Sequence, residues 1–235
     1  MYSKKENDFK KDIGDTLNNL HVHHKDVYLR TIKQVWENQH PYEQIVGAEK
    51  LLLVITIFLK MLMPSFWVRH FAEQDEKHYR RVDFYNFIKP IIFLIVLVYN
   101  LDQLSIVMVI ITYLLIDLFV SIVSTLILSD IFVKPLSIRK QFLSLWCHLW
   151  EIILGFAILY LHYWALGYIT WENKEVWPIG AIYYSMCTLS TVWYGDIAQV
   201  NDTGSIISVI QMIYGLVFIG IILSAYVSKI NIKSE

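Results

Sequence analysis

Three apolar runs, residues 104–131, 142–166 and 205–228, are each long enough to cross a bilayer, and they restrict this chain more than any other feature. A hydrocarbon core about 30 Å thick takes roughly 20 mostly apolar residues per helix. No water reaches the backbone there, so each run must satisfy its own amides and carbonyls, which a helix does within one segment. Two weaker apolar segments come first, 45–68 and 84–101. Lys60 and Pro64 interrupt the former, Lys89 and Pro90 the latter. With 56% hydrophobic and only 17% charged residues in 235, the chain is too apolar for an ordinary soluble domain. The expected fold class is an all-α membrane protein.

The few charges set a topology. Basic residues mark the cytosolic side of membrane proteins. The loop after residue 131 carries Lys134, Arg139 and Lys140, and the tail carries Lys229 and Lys233. The stretch 167–203 has Glu172, Glu175, Asp196 and Asp202 against Lys174 alone, so it faces outward. With a cytosolic N-terminus, an even number of helices precedes residue 134, and one weak segment crosses. Arg69, Lys77, Arg80 and Arg81 stay inside only if 84–101 crosses and 45–68 does not. In that arrangement 45–68 lies in the interface as an amphipathic or broken helix. The alternatives are that 45–68 spans while 84–101 caps the outer side, or that five spans leave the N-terminus outside.

This divides the chain into a cytosolic N-terminal segment (1–44), N-terminal membrane helices (45–133), a unit at 142–228 and a short cytosolic tail (229–235). Both termini are expected in the cytosol and the protein in the plasma (inner) membrane, in contact with lipid. Within 15–38, Leu17, Leu20, Tyr28, Ile32 and Val35 have weakly helical spacing. The net charge of −1 gives no reason to expect nucleic acid.

Between the last two runs stands Thr188-Leu189-Ser190-Thr191-Val192-Trp193-Tyr194-Gly195-Asp196. It resembles the selectivity filter of the tetrameric potassium-channel family, whose common pattern is T-x-T-T-V-G-Y-G-D. Residues 142–228 as a whole are similar to that family's pore module of outer helix, short pore helix, filter and inner helix. Trp177-Pro178 opens the short helix, where proline's missing amide costs little. Ala181-Ile182-Tyr183-Tyr184-Ser185 falls where the family usually carries an aromatic pair.

The resemblance implies a homotetramer that conducts cations passively, with potassium the leading ion and sodium also plausible. In such filters, rings of carbonyls replace the ion's water shell. Carried over, the Thr191 hydroxyl and the carbonyls of Thr191, Val192, Trp193 and Tyr194 face the axis. Thr191 and Val192 hold a transient K+ or Na+. Gly195 keeps the second glycine, and Tyr194 packs outward on Tyr183 and Tyr184. Asp196 sits behind the outer mouth, held by a phenol of that pair, with Thr188 and Ser190 as further support. Gly215 and Gly220 are candidate hinges of the inner helix, or sites of close helix packing. Beyond permeant monovalent cations, no cofactor is expected.

Trp193 departs from the family for a physical reason. Its position takes a glycine, which adopts positive φ without a Cβ penalty. A left-handed conformation costs other L-residues roughly 1–2 kcal/mol, and four indoles would crowd one axis. The expectation is a re-formed filter with weak potassium selectivity or poor conduction. Gln199 replaces a frequent proline and receives little weight.

Other residues invite competing readings. His148 and Glu151 share one helix face and are expected to pair with each other or with a backbone group between helices; Asp117 is expected to meet a neighbouring helix and His162 to lie near the outer end. His21, His23, His24 and His40 show no ligand spacing. Cys147 and Cys187 lie in apolar or pore-helix segments and suggest no disulfide framework. No segment is an arginine-rich voltage sensor, and no catalytic constellation points to an enzyme. Two alternative functions remain: a non-conducting or regulatory subunit or scaffold beside another pore subunit, or a membrane signalling protein whose N-terminal segment binds a ligand.

Overall fold

The computed structural model of the chain describes residues 24–37, 47–72, 78–127, 138–167, 169–171, 178–192 and 195–233. The chain forms two compact units, 1–82 and 83–235.

The first unit contains α1 (His24–Trp36), α2 (Ala48–Leu62) and α3 (Pro64–Ala72). Helix α1 buries Tyr28, Thr31 and Val35 along one stripe against α2 and α3. The Tyr28 and Phe66 rings meet edge to face at 5.4 Å. The apolar segment 45–68 is therefore two helices. At Met63 the backbone is extended (φ −89°, ψ 145°), and Pro64 begins α3. Proline has no amide to continue the preceding helix but suits the first turn of a new one. Both lysines of α2 turn to α1: Lys50 Nζ donates to the Trp36 carbonyl at 2.7 Å, and Lys60 Nζ lies 5.7 Å from the Tyr28 ring centroid. A cation at the carbonyl end of a helix is favourable.

The second unit holds α4 (His78–Val98) from residue 83 onward, a 3-10 turn (Leu101–Gln103), α5 (Ser105–Ile127), α6 (Ile138–Ala165), β1 (Ile169–Trp171), α7 (Pro178–Leu189), β2 (Ile197–Gln199) and α8 (Asp202–Lys233). Ser105–Thr125, Phe142–Ala165 and Asp202–Gly220 are long and apolar enough to cross a membrane; the apolar part of α4, Phe84–Val98, is shorter. The described parts of the three long runs of the sequence thus fall mainly in α5, α6 and α8. Large side chains such as Ile106, Val109, Leu216 and Ile219 point out of the unit, while Phe93, Leu97, Ile111, Leu118, Ile152 and Phe156 form its core. Gly155 lets α4, α5 and α6 close on one another: a Cβ there would lie 2.6 Å from Leu115 Cδ2 and 3.0 Å from Phe93 Cε2.

One helical turn from that contact, charges from the same three helices meet. Lys89 Nζ is 2.6 Å from Glu151 Oε1 and 3.9 Å from Asp117 Oδ2. Tyr85 donates to Asp117 at 3.2 Å, and His148 Nδ1 lies 3.5 Å from Glu151 Oε2. Glu151 therefore has a closer partner than the expected His148, and Asp117 does meet a neighbouring helix. His162 bonds the Asp102 carbonyl at 2.8 Å, at the corner between α4 and α5.

Candidate ion-conduction site

Helix α7 has 12 residues, about 18 Å at roughly 1.5 Å each, too short for a bilayer core. It starts at Pro178 and buries Gly180, Ala181, Tyr184 and Ser185. Two links fasten it to α6: Ser185 Oγ donates to the Ile153 carbonyl at 2.8 Å, and Tyr184 meets Tyr160 edge to face at 4.6 Å. Its far end is backed by α8, where a Cβ on Gly215 would stand 3.0 Å from the Leu189 carbonyl oxygen and 3.1 Å from Leu189 Cδ1. Gly215 is thus a close-packing position. Nothing lies within 4 Å of a Cβ on Gly220.

The filter-like segment leaves α7 through a tight cap. The Thr191 amide bonds the Thr188 carbonyl at 3.2 Å, and the Val192 amide bonds the Cys187 carbonyl at 2.9 Å. This paired pattern is a Schellman motif, which needs a left-handed residue after the helix cap. Thr191 fills that place at φ 57°, where glycine is usual. A β-branched residue there is strained. The hydroxyls turn back toward backbone carbonyls: Thr188 to Tyr184 at 2.9 Å, Ser190 to Met186 at 2.8 Å, Thr191 to Ser190 at 2.7 Å. Thr191 and Val192 are exposed. Trp193 and Tyr194 lie outside the described residues, and with them the expected packing of Tyr194 on Tyr183 and Tyr184. Gly195 resumes the chain at φ 81°. Tyr183 reaches both Asp196 and Cys187 with its phenol.

After Asp196 the chain enters β2, which pairs antiparallel with β1 in the register Ile169↔Gln199, Thr170↔Ala198, Trp171↔Ile197. Asn201 then caps α8, its side chain accepting from the Gly204 amide at 3.0 Å. The exit from the filter-like segment is therefore clamped at both ends.

Gln199 belongs to a polar network that the sequence reading passed over. Its amide nitrogen donates to the Tyr184 phenol and to Ser208 Oγ, the latter at 2.8 Å. The Tyr160 phenol donates to Gln211 Oε1 at 2.7 Å. Gln211 Nε2 in turn donates to both the carbonyl and the Oγ of Ser185 at 2.8 Å. Helices α6, α7 and α8 and strand β2 are tied through these six side chains. Tyr184, expected to pack beside Tyr194, is buried with its phenol bound to Gln199 and Ser208. One sign was present in the sequence: Gln211, an amide in a membrane-length apolar run, needs partners because an unsatisfied polar group there is costly.

Residues 149–231 match a family model described as an ion channel. The match begins inside α6, takes in α7 and the residues around the filter-like segment, and ends in α8. Searches of curated proteins and of solved structures find no match. The chain is a mostly helical, integral membrane protein: among the described residues three helices are long and apolar enough to cross a bilayer, and residues 149–231 are similar to an ion-channel domain.

Proposed function

We propose that the chain is one subunit of a homotetrameric cation channel that conducts K+, or K+ and Na+, passively across the plasma membrane. The carrying observation is the short helix α7, held between two membrane-length helices and followed by Thr-Val-x-Tyr-Gly-Asp inside a span that matches an ion-channel model. In this reading four copies bring residues 191–195 to one axis. The carbonyls of Thr191, Val192, Trp193 and Tyr194 replace the water of a dehydrated cation. Asp196, Tyr183, Tyr184, Thr188 and Ser190 support that segment. Both termini face the cytosol.

Two features favour an altered filter. Trp193 replaces a glycine, and the Val192 amide is committed to the cap of α7. The same cap favours the second reading, a non-conducting subunit beside another pore protein.

Reversal potentials in mixed K+ and Na+, for the purified chain and for Trp193→Gly in liposomes, test both readings. Weak discrimination in the native chain with K+ preference restored by Trp193→Gly supports the altered filter. Strong K+ preference in the native chain refutes the loss of selectivity. Silence of both proteins, with intact tetramers, favours the non-conducting subunit.

A further inference from the structure

We propose that α1–α3 form an in-plane membrane anchor, in which one whole face of α2 lies among lipid acyl chains at the headgroup boundary. The proposal concerns how the first unit meets the membrane and is independent of conduction.

Helix α2 has two opposite faces. Leu51, Leu52, Ile55, Phe58 and Leu59 follow helical spacing on one side and are 40% to 61% exposed. Leu53, Thr56, Ile57 and Lys60 are buried on the other. The polar groups of α2 are turned away from the apolar stripe. Thr56 bonds back to the Leu52 carbonyl at 2.8 Å, and Lys50 and Lys60 turn to α1 as described above. Helix α1 in turn carries Arg30 and Lys33 on its exposed side, with Leu29 and Trp36 exposed beside them and Glu37 just after its end. The pair is amphipathic as a unit: α1 roofs the lysine-bearing face, and the stripe is left bare.

Four facts select lipid as the occupant. The 15 residues of α2 rise about 22 Å, short of a core about 30 Å thick. The extended break at Met63 keeps α3 from lengthening it into a span. The stripe offers no charge, donor or acceptor, and hydrocarbon is a partner that requires none. Finally, only residues 73–77 separate α3 from α4, in a chain whose helices α5, α6 and α8 are long and apolar enough to cross a membrane. An apolar face of this kind with a polar opposite side is the pattern of helices that lie in the interface. Exposed on a soluble protein it would be an aggregation site. Trp67 and Phe71 on α3, both exposed with rings 6.0 Å apart, add aromatic surface of the type that favours the headgroup level.

The test uses the full chain in phosphatidylcholine vesicles, with and without phosphatidylglycerol. Spin labels at Ile55→Cys and Lys33→Cys, in a Cys147→Ala/Cys187→Ala background, are compared by collision with oxygen and with a water-soluble nickel chelate. The Ile55 label is expected to favour oxygen and the Lys33 label nickel, whichever lipid is used. The proposal is overturned by any of four results: nickel access at Ile55, spin–spin broadening between copies, exclusion of both reagents, or dependence on phosphatidylglycerol. Should the cysteine-free background fail to fold, acyl-chain diazirine lipids on the unmodified chain give the same answer. Adducts on 51–59 support the anchor; adducts on α5 with none on 51–59 overturn it. Neither readout involves ion flux, so a silent channel leaves the test intact.

Discussion

Lys89 Nζ stands 2.6 Å from Glu151 Oε1, with the two side chains 4% and 0% exposed. Asp117 approaches the same ammonium from α5, so one cation is shared by two carboxylates on two different helices. At the centre of a membrane span an unpaired charge costs on the order of 2.5–3.5 kcal/mol on insertion scales. The pairing explains how α4 keeps a lysine in its apolar stretch, beside Pro90, within the packed core of the second unit.

Removing that lysine should therefore be worse than removing the whole charge set. Lys89→Met is expected to destabilise the protein by about 3–5 kcal/mol, because two buried carboxylates lose their counter-ion. The combined Lys89→Met, Asp117→Asn and Glu151→Gln variant should recover most of that. Thermal unfolding in detergent measures both, and equal losses would show that charge pairing is not the cause.

The network around Gln211 makes a graded prediction. Gln211→Leu leaves the Tyr160 phenol only the longer bond to Ser208 Oγ at 3.4 Å, and takes a donor from the Ser185 carbonyl and Oγ, whose own hydrogen still goes to Ile153. A buried group that loses its good partner costs about 1–3 kcal/mol. Gln199→Ala leaves Tyr184 and Ser208 bonded to one another, so its cost should be smaller. Unfolding midpoints of the two variants check the order. A Gln199→Ala loss as large as that of Gln211→Leu would contradict it.

The two candidate hinges should separate cleanly. Gly215→Ala pushes a methyl toward the Leu189 carbonyl, which is backbone and cannot swing aside. Overpacking of that kind costs about 1–3 kcal/mol, more than the roughly 1 kcal/mol of helix propensity gained over glycine. At Gly220 the space is open, so alanine there should be neutral or stabilising by up to about 1 kcal/mol. Paired melting curves decide it, and destabilisation by Gly220→Ala would point to packing between subunits at that position.

Asp102 gives a pH dependence at the corner between α4 and α5. Burial holds its carboxyl above the ordinary value near about 3.9, against the opposing pull of backbone hydrogen bonding, His162 and Gln103. The folded state thus binds the proton more tightly than the unfolded chain. The Asp102 contribution is fully favourable below the unfolded value and is lost as pH rises through the folded one. Asp102→Asn should accordingly stabilise the protein at pH 7 and have little effect in acid. Unfolding midpoints at both pH values measure this; destabilisation at pH 7 would mean that the ionised carboxylate is favoured instead.

Much of the architecture could be read from residue order alone. The three spans follow from long apolar runs, because partition into hydrocarbon is close to a sum over neighbours in sequence. Pro178 marked the start of α7, and Pro64 marked the break in segment 45–68, because proline acts through its own ring and missing amide. The filter-like motif was visible as an ordered string of residues. What only the tertiary structure decided were the partners of polar groups: Lys89 with Glu151, Gln199 with Tyr184 and Ser208, Gln211 with Ser185 and Tyr160. These pairs lie from nine to 62 positions apart. Their bonds depend on direction and on distances of a few ångströms, which helix packing sets and local composition does not encode.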